Sequence, residues 1–339
     1  MLSAFELKHK IASQLGRLVD LDMRVQKARQ RYIVCYHRVL TPQQAAADYV
    51  HDAMWVSPET FEQQIHWMLK VGEIVDYRRI LDFGQDNDRP LFTITFDDGW
   101  KDNYEVAFSI LKQYSAPALI FLATGAVESG RLFWPEDVVT RTHHAAQKDR
   151  LRTIAALDAL QADSIVIDKS REPAALAEEL VESLKLVSES ERKQRIEAYY
   201  GRLGDSSEPL NDQIMNWDEV NRMQEKGICF GSHTHGHKIL RELPNEEVES
   251  EVRLSYEVLK KRLGREVDTF AYPNARYRGN EGEILARVGY RFGFRLHNKI
   301  LTGDYDPYLI PRLISYESIA ANADFYKMRL LNMPLYTSS

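Results

Sequence analysis

The chain has 339 residues, 44% of them hydrophobic and 28% charged, with a net charge of −6 and a pI near 6.0. That balance describes one or two folded domains and excludes a largely disordered chain, a collagen-like chain and a nucleic-acid binder that works through a basic surface. Two cysteines, Cys35 and Cys229, exclude a disulfide scaffold and a Cys-rich zinc module; both sit in apolar runs, where buried free thiols are expected.

Residues 1–30 read as one amphipathic helix, with Phe5, Ile11, Leu15, Leu18 and Leu21 on one side. It either packs on the main domain or lies on an anionic membrane surface through Lys8, Lys10, Arg17 and Arg24. Glu6, Asp20 and Asp22 weigh against the second role. No apolar stretch reaches the roughly 18 residues of a membrane span. The first ten residues meet charge before any secretory apolar core, so the expected location is the cytoplasm, with peripheral membrane contact as an option.

A short strand is predicted at 31–36. Ser57 and Pro58 then form an N-cap and first helical position, and that helix ends at Gly72. Strands follow at 91–96 and 118–122, with a helix over 104–114 between them. Short apolar strands alternating with helices predict an α/β fold built on a parallel sheet or barrel. Residues 131–212 break this rhythm with long, charged, helical segments and read as an insertion; the remaining 31–339 form the barrel and 1–30 stand before it. Strands resume at 228–232, 269–272 and 290–294, with a helix over 244–263.

Two clusters carry chemistry. The first is Thr95-Phe96-Asp97-Asp98-Gly99-Trp100, where an apolar strand ends in two adjacent carboxylates. In a parallel barrel this is the end where active-site groups sit. Adjacent carboxylates point different ways, so one can bind a metal while the other acts as a base. The second is Gly231-Ser232-His233-Thr234-His235-Gly236-His237. It holds three of the ten histidines, and the four-residue spacing of His233 and His237 suits one ion approached from a helical turn. Two His and one Asp form the common protein ligand set of a catalytic zinc; cobalt, nickel and iron also accept such donors.

In this order the clusters resemble the polysaccharide deacetylase family, carbohydrate esterase family 4. Thr95–Gly99 is similar to its first motif and His233-Thr234-x-x-His237 to its second. Phe270-Ala271-Tyr272-Pro273-Asn274 approaches its third, an aromatic-Pro loop. The resemblance implies a distorted (β/α)7-type barrel with a helical insertion. It implies that Asp97 is the general base and that Asp98, His233 and His237 hold the metal. It also implies that Tyr272 and Pro273 line the substrate site, where a backbone amide helps to stabilise the oxyanion.

The chain departs from the family at the arginine that precedes the third motif, where Asp268 and Thr269 stand instead. Arg312 is the replacement expected at the site, to orient Asp97. The C-terminal Leu-x-His acid motif is missing as well. Cys35-Tyr36-His37-Arg38, at the end of the first strand, resembles the permuted branch related to biofilm poly-N-acetylglucosamine deacetylases, which makes His37 the general acid; His297 is the reserve. Phe133-Trp134 opens the insertion, and Trp134 is expected to stack on a sugar ring. The implied activity is metal-dependent removal of an N-acetyl group from an amino sugar, expected to be a nucleotide- or lipid-linked precursor in envelope polysaccharide synthesis. The alternatives are an allantoinase-like cyclic amide hydrolase and a non-catalytic carbohydrate-binding relative.

Overall fold

A computed structural model describes residues 4–161, 168, 170–204, 213–275, 277 and 279–333. The described chain forms two compact units. One comprises residues 1–41, 52–130 and 214–339; the other comprises 42–51 and 131–213.

The larger unit is a closed barrel of seven parallel strands: β1 Arg31–Tyr36, β2 Leu91–Phe96, β3 Ala118–Leu122, β4 Cys229–Ser232, β5 Thr269–Ala271, β6 Phe292–Leu296 and β7 Ile310–Ile314. Each strand pairs with the next, and β1 pairs with both β2 and β7, which closes the ring. The alignment is Arg31 beside Leu91 through Tyr36 beside Phe96, and Val34 beside Leu313. β1, β2 and β3 are buried along their whole length, as expected of parallel strands covered on both faces.

Ile33, Leu91, Leu119, Phe121, Ala271, Phe294 and Ile310 form one buried cluster contributed by six of the strands. The seventh, β4, carries Gly231, where a Cβ would come within 2.7 Å of the Phe121 ring; glycine there leaves room for that ring.

Helix Pro58–Val71 starts as its sequence predicts, with the Ser57 hydroxyl accepting from the Thr60 amide. The strand predicted at 290–294 lies two residues later, at Phe292–Leu296. The expected single helix over residues 1–30 is two helices, Ala4–Leu18 and Leu21–Ala28. Asp20 causes the break. Its backbone is extended, and its carboxylate caps the second helix by accepting from the Met23 amide at 2.9 Å. Leu18, assigned to the apolar side, is 81% exposed. Ala12 and Leu21 pack with Ile319, Phe325 and Met328 on the barrel unit. Asp22 ties the second helix down by accepting from Trp67, Lys70 and Lys327.

The smaller unit contains helices Trp134–Lys148, Arg150–Leu157, Pro173–Leu184 and Glu189–Leu203 around Val138, Leu157, Leu160, Ala177, Leu180, Leu184 and Tyr199. It also includes Pro42–His51, a segment assigned to the barrel from sequence. Thr140 and His144 hold that segment through the Asp48 and Ala47 carbonyls.

Candidate active site

The site lies at the C-terminal ends of the barrel strands. After β2 the chain turns sharply: Asp98 has φ +75 and Gly99 φ +88, and the Gly99 amide bonds back to the Asp97 carbonyl at 2.9 Å. A left-handed Asp costs about 1 kcal/mol or more, which the surrounding fold must offset. The result is that neighbouring carboxylates acquire separate partners.

Asp97 faces Arg312 on β7. Arg312 Nη1 reaches Asp97 Oδ1 at 2.7 Å and Nη2 reaches Oδ2 at 2.8 Å, a two-pronged pair with Arg312 0% and Asp97 2% exposed. The Cys35 thiol donates to Asp97 Oδ2 at 3.5 Å, and His37 Nε2 stands 4.0 Å from the same oxygen. Burial opposes ionisation of Asp97, but Arg312, with His233 and His37, holds its carboxyl below the usual range. Burial pushes the Cys35 thiol up, so it stays a donor.

Asp98 faces the two histidines. Its Oδ1 is 3.4 Å from His233 Nε2 and 3.2 Å from His237 Nε2, while Oδ2 accepts from the Trp100 indole at 2.8 Å. Burial again opposes the charge, and His237, His37 and His233 outweigh it. His233 donates from Nδ1 to the Ala271 carbonyl at 2.8 Å, which leaves Nε2 as a lone-pair donor. Burial pushes His233 down to about 4, so it is neutral near pH 7.

His233 and His237 do not share a helical turn, contrary to expectation. They lie in an irregular loop after β4, with Thr234 at φ +67 and His237 at φ +53. Glu251 holds the loop by accepting from the His235 and Gly236 amides.

The three donors Asp98, His233 and His237 lie within 4.8 Å of one another. In a tetrahedral shell with bonds of about 2.0–2.1 Å, neighbouring donors stand roughly 3.3–3.4 Å apart. The observed 3.4 and 3.2 Å match that spacing, and the donor set suits zinc.

A family model for polysaccharide deacetylases matches residues 84–158 and 192–293, just over half of the chain. The chain belongs to the polysaccharide deacetylase family. Solved structures of the same fold include the Streptococcus pyogenes deacetylase PplD in complex with acetate, at 20% identity, covering 86% of this chain and 96% of that one with a TM-score of 0.56. IcaB from Ammonifex degensii matches at 19% identity, with coverages of 88% and 97% and a TM-score of 0.56. The BpsB deacetylase domain from Bordetella bronchiseptica matches at 15%, with coverages of 86% and 98% and a TM-score of 0.52. No curated protein sequence matches the chain.

In this family member the other expected site residues each have their own surroundings. The Tyr272 amide donates to the Phe294 carbonyl at 3.0 Å. Ala271 takes the inward position of the strand, so the Tyr272 ring packs against Phe270 and Tyr277 and lines a separate cavity of about 290 Å³ with Glu281, Asp306 and Tyr308. Burial pushes its hydroxyl pKa up. Pro273 is buried at the start of a short turn. Arg312, expected to orient Asp97, is fully buried and spends both terminal nitrogens on that carboxylate. Trp134 belongs to the smaller unit, where its ring packs on that unit's core beneath the Arg192 guanidinium at 5.0 Å. His297 is exposed in the loop after β6. Trp100 is a site residue that the sequence reading leaves without a role; its signal is an indole donor two residues after a carboxylate that could hold a metal.

Proposed function

We propose that the chain hydrolyses the N-acetyl group of an amino sugar, with Asp97 as base, His37 as acid and Asp98, His233 and His237 as metal ligands. The observation that carries this reading is the division of labour at one turn: Asp98 faces two neutral-capable imidazoles while Asp97 is ionised and aimed by Arg312. When bound, a divalent ion, zinc by donor preference, acidifies water and polarises the acyl carbonyl.

Asp97 accepts the proton of the attacking water. Arg312 keeps the carboxylate charged and fixed in orientation throughout. His37 stands near Asp97 and gives its proton to the leaving nitrogen as the C–N bond breaks, because an amine is a poor leaving group without one. Acetate and a free amino sugar are released. The position of His37 at the end of β1 supports a place in the permuted branch, with the acid early in the chain.

The test is metal analysis together with acetate release from a panel of N-acetyl donors: nucleotide-linked, lipid-linked and polymeric. We expect about one divalent ion per chain, activity abolished by chelation and restored by zinc or cobalt, and preference for a nucleotide- or lipid-linked precursor. Full activity in metal-free protein overturns the reading.

A further inference from the structure

The His37 ring is held by remarkably little of its own. Among the described residues its Nδ1 is buried without a hydrogen-bond partner, and Nε2 lies 4.0 Å from Asp97, beyond hydrogen-bond reach. A ring without anchors is placed by its backbone. Yet the β1–β2 pairing ends at Tyr36 beside Phe96, one residue before His37.

After His37 the backbone of Arg38–Val39 pairs with Trp55–Val56, and the contact to His37 itself comes from the turn after the paired carboxylates. Asn103 Nδ2 donates to the His37 carbonyl at 2.8 Å. Asp102 Oδ1 accepts from the Val39 amide at 2.7 Å, and its Oδ2 accepts from Arg38 Nε at 2.9 Å. Asn103 also donates to Asp102 Oδ1 at 3.3 Å, so both of its amide protons have acceptors. Asn103 is 0% and Asp102 5% exposed. Asn103 opens a π-helical turn, Asn103–Ala107, a departure from α-geometry that often marks functional sites. The Arg38 guanidinium lies 4.3 Å over the ring of Trp100, which in turn orients Asp98.

One stretch, Asp97–Asn103, therefore carries the base, a metal ligand and the clamp on His37. We propose that Asn103, supported by the Asp102–Arg38 pair, is a positioning residue that sets the reach of His37 toward the leaving nitrogen. The inference rests on His37 being the acid. A misplacement of about 1 Å at such a group costs roughly 100-fold in rate, so the clamp matters even though it touches no substrate.

The experiment uses the full chain with Asn103→Ala, which removes the donor, and Arg38→Lys, which keeps the buried charge but loses the Nε bond. His37→Ala and the His37→Ala/Asn103→Ala double variant complete the set. kcat and KM are measured on an N-acetyl amino sugar and on 4-nitrophenyl acetate, whose leaving group needs no proton, with metal content alongside. Asn103→Ala is expected to lower kcat on the amide about 10- to 100-fold, leave KM within about twofold and cost the ester less than about threefold. Arg38→Lys is expected to move the same way by a smaller factor, and the double variant to be no slower than His37→Ala. If His37→Ala shows the amide-selective loss and neither Asn103→Ala nor Arg38→Lys does, the positioning role is overturned while the acid stands. If His37→Ala itself loses both substrates equally, the acid reading fails and the inference falls with it.

Discussion

Each unit buries a carboxylate against an arginine, and the two pairs are built for different ends. In the smaller unit Asp137 meets Arg141 one helical turn away, at 3.0 Å, and Tyr200 donates to its second oxygen at 2.6 Å. The Arg141 guanidinium also lies 4.9 Å over the Tyr200 ring. These contacts join two helices of that unit. In the barrel Asp97 meets an arginine 215 residues away in sequence, on a different strand, and His37 stands close without bonding. Both pairs are nearly solvent-free. The difference teaches that burial and charge pairing do not mark a functional carboxylate. What sets Asp97 apart is a second group, His37, left near and unbonded, beside the convergent donors Asp98, His233 and His237.

The sharpest way to break this comparison is to neutralise each carboxylate in turn. Asp97→Asn is expected to lower turnover of an N-acetyl sugar by about 10²- to 10⁴-fold with metal content unchanged, read by steady-state kinetics and elemental analysis. Loss of the metal in this variant, with retention in Asp98→Asn, would mean that the two carboxylates have exchanged roles. Next in size is Trp100→Phe, which removes the donor to Asp98 Oδ2; metal affinity should weaken about 10- to 100-fold in a competitive chelator titration. Asp137→Asn should leave turnover per folded molecule intact while costing about 3 kcal/mol in denaturant unfolding, since it breaks a buried charge pair. Equal kinetic losses from Asp97→Asn and Asp137→Asn would erase the distinction.

The smallest expected effect is at the N-terminal helices. Burial opposes the Asp22 charge, but Lys327, Lys70 and Trp67 outweigh it and lower its carboxyl to about 2. A depressed carboxyl stabilises the fold above its unfolded value and loses that stability as pH falls. Discounted for partial exposure, about 1 kcal/mol should disappear between about pH 4 and pH 2. Asp22→Asn should remove the same increment at neutral pH, measured by chemical unfolding across pH.

Strands β1, β2 and β3 were legible to the residue, because long apolar runs bounded by turn residues leave little choice of ends. The helix break at Asp20 was missed because apolar periodicity ran across a good capping residue. The paired carboxylates and the histidine cluster were visible as motifs, but the loop geometry was not: left-handed conformations at Asp98, Thr234 and His237 leave no trace in residue type. Arg312 was reachable only through the family resemblance; the local run Leu309-Ile310-Pro311-Arg312 is silent on Asp97, because the closing of the ring brings the two together. The surroundings of the Tyr272 ring were closed to sequence for a related reason. A one-residue step along a strand turns a side chain to the opposite face, and sequence alone left the register of β5 open.

The closing of the ring also has a consequence for how the molecule is made. β1 lies between β2 and β7, so one edge of the first wall strand waits for nearly the whole chain to be synthesised. Until Ile310–Ile314 arrives, Asp97 has no counter-charge and β1 has an open edge. Nascent chains halted before Ile310 should therefore contain Asp98, His233 and His237 and still release no acetate, a contrast measurable on stalled ribosomes. On the proposed mechanism a partly built copy is chemically silent, and hydrolysis begins only when the last strand brings Arg312 to Asp97.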